Sequence, residues 1–253
     1  MSLIKTAEEI EIMREGGRIL AKVLAQVSQE AKAGVSTLHL DMLARQGLKA
    51  LGASPSFLNY RTGNAVFPAS LCTSVDNALV HGVPSPTFIL EPGQIIGLDL
   101  GAWYKGLCTD MAVTVAVGKI PKTTQKLIDV TKKSLVLALK KVHAGARIGD
   151  IGEAVQTYVE KEGFSVVRDL VGHGVGHAVH EDPRIPNFGK KGTGPLLQEG
   201  MTIAIEPMVN AGRPEVKVMS DGWTIVTADD SLAAHFEHTV LVTKHGCEIL
   251  TTV

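Results

Sequence analysis

Polar and apolar positions alternate most regularly in the stretch Leu98 to Val117, LDLGAWYKGLCTDMAVTVAV. Alternate side chains of an extended chain share a face. Ile96, Leu98 and Leu100 therefore form an apolar face, and Asp99 falls on the other with only Gly97 and Gly101. Further on, Met111, Val113, Val115 and Val117 line up as apolar, while Asp110 lies with Ala112 and Thr114. With a glycine-rich turn from Gly101 to Gly106, the pattern predicts a β-hairpin. It would present two carboxylates from a face of small residues, with open space above them. Unpaired acids so placed repel each other and cost roughly several kcal/mol to desolvate. Lys or Arg neighbours would answer this acid by acid; a shared cation would answer it for both, and the small residues favour the cation.

The rest of the chain divides between helical and extended spacing. Thr6-Ala7-Glu8-Glu9 reads as a capping box, followed by Ile10, Met13, Gly17, Leu20, Leu24 and Val27 at helical spacing. A second helix is predicted from about Ser36 to Leu51, closed by Gly52. Ala53 to Ser70 is loop-rich and holds Tyr60, Gly63, Asn64 and Pro68. Leu71 to Pro84 reads as strand, turn and strand, the second ending at His81-Gly82. Helices are predicted from Thr123 or Thr124 through Val142 and from about Gly149 to Glu162. Ser165 to Val171 reads as a strand, Gly172 to Glu181 as a run rich in Gly and His, and Pro183 to Pro195 as a loop. Met201 to Glu206, Thr224 to Val226 and Glu237 to Thr243 complete the strands. No linker rich in Ser, Gly or Pro divides the chain, so residues 1–253 are read as one domain.

The pattern repeats. Ala33-Gly34 opens a helical stretch closed by Gly52, and Ala144-Gly145 opens one closed by Gly163. Gly93 precedes Asp99 on an acid-bearing strand as Gly200 precedes Glu206, and Asp110 and Glu237 each begin a further alternating run. Two related halves facing each other would bring Asp99, Asp110, Glu206 and Glu237 to one central place.

Composition narrows the classes. A chain of 253 residues can hold one large core or two small ones. A net charge of −1 leaves no electrostatic footprint for nucleic acid or a membrane surface, and neither is expected as a partner. Cys72, Cys108 and Cys247 are far apart with no CxxC spacing, which argues against a disulfide framework and a Cys-based zinc site. Glu8, Glu9, Glu11 and Glu15 stand where a signal peptide would need an apolar run. No stretch approaches the ~18 consecutive apolar residues of a membrane span. A soluble, cytoplasmic protein is expected.

Four converging carboxylates call for cations, and a carboxylate set with one imidazole suits hard or borderline divalent ions such as Mn, Co, Fe or Zn. Two such ions could share bridging carboxylates and activate a water between them. The imidazole candidate is His173 in GHGVGHAVHE, whose flanking glycines let it approach a crowded centre. Among His173, His177 and His180, two are expected to be functional. The run lacks both the GxGxxG spacing and a Lys, which argues against a nucleotide loop.

Several pieces together resemble the type I methionine aminopeptidases over essentially the whole chain. They are Asp99 with Asp110, Gly-His-Gly at 172–174, His180-Glu181 with Pro183, Glu206-Pro207-Met208, Phe236-Glu237-His238-Thr239, and Asn77 to Pro84. The resemblance implies a duplicated pita-bread α/β (α+β) fold. Its two pseudo-symmetric halves would share a central, largely antiparallel sheet covered by helices. It also implies two divalent ions: Asp99 on one, Asp110 and Glu237 bridging, His173 and Glu206 on the other. Glu206 would handle the proton of the attacking water, and His81 and His180 would contact the scissile amide. Tyr60, Phe67, Cys72, His81 and Trp223 would surround the substrate methionine. The substrates implied are nascent polypeptides or peptide N-termini with a small second residue; the ribosome is a further candidate partner, and a monomer is expected. Two departures stand out: Leu170 where an aromatic or Met is frequent, and a longer Tyr60–Phe67 loop.

The competing enzyme is a prolidase or X-Pro aminopeptidase, which shares the fold and ligand set. Those relatives normally carry an additional N-terminal domain, and this chain begins only about 90 residues before Asp99. A non-catalytic binding module would have lost ligands that are all present here.

Overall fold

The computed structural model describes residues 3–63 and 65–253. Asn64, assigned above to the 53–70 loop, lies outside them. Helix α1 (Ala7–Glu30) begins where the capping box places it: Glu9 N–H donates to Thr6 Oγ1 at 3.3 Å, and Thr6 N–H donates to Glu9 Oε2 at 2.7 Å. Its buried stripe includes Met13, Leu20, Leu24 and Val27. Gly17 lies on the same stripe because the chain end crosses there: a Cβ would collide with the carbonyl of Leu250. Ala gains about 1 kcal/mol over Gly in a helix, but overpacking costs about 1–3 kcal/mol, and the obstacle here is backbone. Gly17→Ala is therefore expected to lower the melting temperature. A higher one would show that the 250 segment yields.

Helix α2 (Thr37–Ala50) is capped by Ser36, and α3 (Lys122–Leu139) and α4 (Ile148–Lys161) form the matching pair. The proposed repeat survives at its hinges. Gly34 and Gly145, Gly52 and Gly163, and Gly93 and Gly200 all have positive φ between 76° and 98°. Only glycine takes that conformation at little cost, which is why these residues, and few others, match between the halves.

Eight strands matter most for the site: β1 (Leu71–Val75), β2 (Ile95–Tyr104), β3 (Leu107–Ala116), β4 (Val171–Gly174), β5 (Glu181–Pro186), β6 (Thr202–Ile205), β7 (Glu237–Val242) and β8 (Cys247–Ile249). With Ser54–Pro55 they form one sheet, in the order Ser54–Pro55, β2, β3, β7, β6, β4, β5, with β1 also on β2 and β8 on β7. Every one of these pairings is antiparallel. The seam between β3 and β7 joins the halves. Leu98 and Leu100 pack with Leu20, Leu24, Leu40 and Leu48 of α1 and α2. Ile203, Ile205, Val240 and Val242 pack with residues of α3 and α4, such as Leu127, Leu135, Ile151 and Val155. By strand alternation these apolar side chains point away from the acids, so the helices cover one side of the sheet and leave the acid side free.

Several boundaries differ from the sequence pattern. The β2–β3 turn is only Lys105-Gly106, both with positive φ, so Gly101 to Tyr104 lie within the strand. The stretch Ser165–Val171 is not one strand: Ser165–Val166 pairs with Met208–Asn210 in a small sheet, and β4 starts at Val171. Pro183–Pro186, read as loop, belongs to β5. Ala78–Val80 leaves the central sheet to pair with Ile225–Thr227. Among the described residues, no helix is long and apolar enough to cross a membrane.

Candidate metal centre

Strand register assembles the site. Cys72 faces Asp99, Asp99 faces Ala112, and Ala112 faces Glu237, one row across β1, β2, β3 and β7. A second row runs from His173 to Ala204 to Thr239 across β4, β6 and β7. Thr239 then locks onto β3: its hydroxyl accepts from Asp110 N–H and donates to Asp110 C=O, each at 2.8 Å. Cross-strand partners project from the same side, so Asp99, Asp110, Glu237 and His173 share one face. Glu206 follows Ala204 by two positions just beyond β6, and His173 Nε2 lies 3.6 Å from its Oε1. The glycines around His173 are required: a Cβ at Gly172 or Gly174 would strike the backbone of Ala204 or Asp182.

The donor set is buried and short of partners. Asp99, Asp110, His173 and Glu237 are each less than one-tenth exposed. Donor atoms of Asp110, His173 and Glu237 all lie within 4.8 Å of one another. Asp99 Oδ1 and Glu237 Oε1 are buried with no hydrogen-bond partner. Burial pushes the Asp99 carboxyl up to about 7, despite the opposing charge of His235. Burial and the neighbouring acids push Asp110 and Glu237 well above the usual carboxylate range. Glu206 moves the other way: burial raises it, but His235, His173 and His180 outweigh that and hold it below its ordinary value. Acids this crowded, with orphaned oxygens, fit divalent cations. Lys and Arg pairing, the alternative weighed from sequence, is absent: no ion pair with either links these four acids among the described residues.

The remaining expected residues surround them. A cavity of about 510 Å³ is lined by Tyr60, Phe67, Cys72, His81, His180 and Trp223 as well as by the acids and His173. His81 takes a left-handed backbone, φ +57°, rare for such a residue. Tyr60 Oη lies 2.8 Å from His180 Nδ1, and the His180 ring meets His173 edge to face with centroids 4.4 Å apart. Burial holds His180 down to about 4 and lowers His81. Phe67 and Trp223 pack edge to face at 5.3 Å beside Cys72, whose thiol burial and Asp99 push well up. Leu170 and Arg184, not assigned from sequence, also line the cavity. His177 does not line it.

One neighbour was missed. His235 is 3 % exposed, with Nε2 3.4 Å from Glu206 Oε2 and 3.9 Å from Glu237 Oε2. Thr114 fixes its backbone on both sides, donating to His235 C=O and accepting from His235 N–H. Its place two residues before Glu237 was the available signal.

The chain resembles known proteins along its whole length. The profile of metallopeptidase family M24 matches residues 11–244. The chain is 47% identical over 253 residues to methionine aminopeptidase 1 of Bacillus subtilis, covering all of both chains. It is 41% identical over 249 residues to the methionine aminopeptidase of Escherichia coli, covering 98% of this chain and 93% of that one. The crystal structure of methionine aminopeptidase from Thermotoga maritima superposes with a TM-score of 0.95 at 43% identity, covering 99% of each chain. Prolidase from Pyrococcus furiosus shares the pita-bread fold at a TM-score of 0.79 and 25% identity, but only 66% of its length is covered. A donor set built by two repeated halves, and likeness along the full length, place the chain in metallopeptidase family M24, among the methionine aminopeptidases.

Proposed function

We propose that this enzyme removes the amino-terminal methionine from nascent proteins and peptides with a small second residue, using two divalent ions held by five side chains. The observation that carries the reading is the two rows of ligand-type residues on one sheet face, beside a separate apolar pocket. Asp99, Asp110, His173, Glu206 and Glu237 would hold the ions, Asp110 and Glu237 being placed to be shared between them. When bound, such ions supply an acidified water and polarise a carbonyl. The donors accept Mn, Co, Fe or Zn, and availability in the cell decides among them.

The chain's own groups do the rest. Glu206, held below its ordinary value chiefly by the adjacent His235, takes the proton of the attacking water at its carboxylate and passes it to the leaving amine. In the Nε2–H tautomer of His180, Nδ1 accepts from the Tyr60 hydroxyl and the Nε2–H is free to donate to the substrate amide. His180 and His81 stay neutral near cations because burial disfavours their charged forms. Cys72, Phe67 and Trp223, with Tyr60 at the rim, offer an apolar, polarizable lining for a thioether. The cytoplasm is where a nascent-chain substrate would be met.

Second-residue crowding is the measurable outcome. The residue after methionine must pass the metal centre, His81 and His180. In a panel of Met-X-Ser tripeptides, Gly, Ala, Ser, Thr, Pro and Val at X are expected to be cut, and Leu, Lys and Phe rejected in kcat/KM. Norleucine should replace methionine, because a methylene in an apolar pocket changes binding by only about 1–3 kcal/mol. Equal cleavage across X, or faster cleavage of Ala-Pro-Ala, would favour the prolidase alternative.

A further inference from the structure

A second polar cluster, outside the metal centre, ties the amino-terminal segment to the loop that carries His180. Lys5 is buried, its side chain 1 % exposed, with Nζ 2.8 Å from Glu181 Oε2. Its backbone is pinned too: Lys5 N–H donates to Gly200 C=O at 2.9 Å. The other oxygen, Glu181 Oε1, accepts Ala178 N–H at 2.8 Å, closing the turn from 178 to 181 around His180. His177 stands between two acids, with Nε2 2.6 Å from Glu9 Oε1 and Nδ1 3.8 Å from Glu181 Oε1. Gly176 leaves room for this arrangement, because a Cβ there would collide with the Lys5 side chain. Buried charges are retained only when paired and hydrogen-bonded, and this pairing joins residues 176 positions apart.

We infer that Lys5, through Glu181, is a positioning residue for His180: the amino-terminal segment clips the 178–181 turn so that the imidazole stands at a fixed distance from the scissile amide. His177, the remaining histidine of the Gly/His run, then has its use, as part of the clip. The inference rests on the role proposed above for His180. A misplacement of about 1 Å at a reacting group can lower turnover by as much as 10²-fold; Tyr60 holds the His180 ring itself, while Lys5 and Glu181 hold the backbone turn that carries it.

The test uses the full metal-loaded enzyme with Lys5→Met, Lys5→Arg, and the double variant Lys5→Met with Glu181→Leu. Kinetics on Met-Ala-Ser, metal affinity by calorimetry, thermal melting and amide hydrogen exchange are measured for each. Lys5→Met is expected to lower kcat by roughly 10- to 100-fold with KM within about twofold. Metal affinity should be unchanged, and exchange should quicken at 177–182. Lys5→Arg should restore most of kcat. The double variant removes both charges, so it should melt near the parent, yet keep the low kcat and fast local exchange. Recovery of kcat along with melting temperature would reduce the clip to a structural ion pair and overturn the inference. So would a Lys5→Met enzyme with parental kcat, or one whose exchange quickens everywhere alike. Should the parent itself leave Met-Ala-Ser uncut, the functional reading fails, while the exchange pattern still decides whether the clip holds the turn.

Discussion

Asp110→Asn and Glu237→Gln are each expected to lower kcat/KM by roughly 10²–10⁴. Removing one charge from a buried, compensated set costs about 3–5 kcal/mol, and each 1.36 kcal/mol is tenfold in rate. Both residues stand at the β3–β7 seam, less than 4 % exposed, with donor atoms close to His173. On the proposed roles each would contribute to both ions, so calorimetry with Mn or Co should show weakened binding at two sites, not one. The metal-free proteins should respond in the opposite direction. A neutral amide relieves repulsion that burial and neighbouring acids impose on Asp110 and Glu237. Without added metal, the variants should therefore melt at or above the parent. Turnover that survives exhaustive chelation would sink the two-metal reading.

His180→Ala is the second large effect, a loss of roughly 10²–10⁴ in kcat with metal content intact. The ring touches His173 edge to face and its Nδ1 meets Tyr60; on the proposed reading it stands beside the donor set. Tyr60→Phe should reproduce a smaller part of the loss, since the ring keeps its place but loses the group that fixes its tautomer. Loss of one ion from the His180→Ala protein would make His180 a ligand and the assigned role wrong.

Much of the site was legible because period-two alternation reports directly which side chains share a sheet face. Asp99 among glycines and Asp110 among small residues needed no structure to be paired, and the glycines at φ near +80° made the duplication visible. Gly101 misled for a physical reason. It is small because Ser56 and Phe57 pack against it, not because the chain turns there. Proline misled at 183–186, where β5 is an edge strand and a missing N–H is tolerated. His235 escaped notice because its strand, Ala233–His235, is three residues long and too short to show a period. The pairing of Lys5 with Glu181 could not be read at all, since nothing in local spacing joins residues 176 positions apart.

The seam between β3 and β7 also dictates when the chain can acquire its chemistry. It pairs Met111 with His238 and Ala112 with Glu237, residues far apart in sequence. Loop-closure entropy is lost before such contacts form, so pairing across the seam costs more to nucleate than pairing between neighbouring strands within a half. A slip of one residue there would turn Glu237 and Thr239 to the helix side. Such a chain would be nearly as compact and would hold no complete donor set. An ion that binds the correct register and not the slipped one shifts the balance by mass action. On the proposed reading, a bound cation would favour the correct strand register as well as serve the reaction.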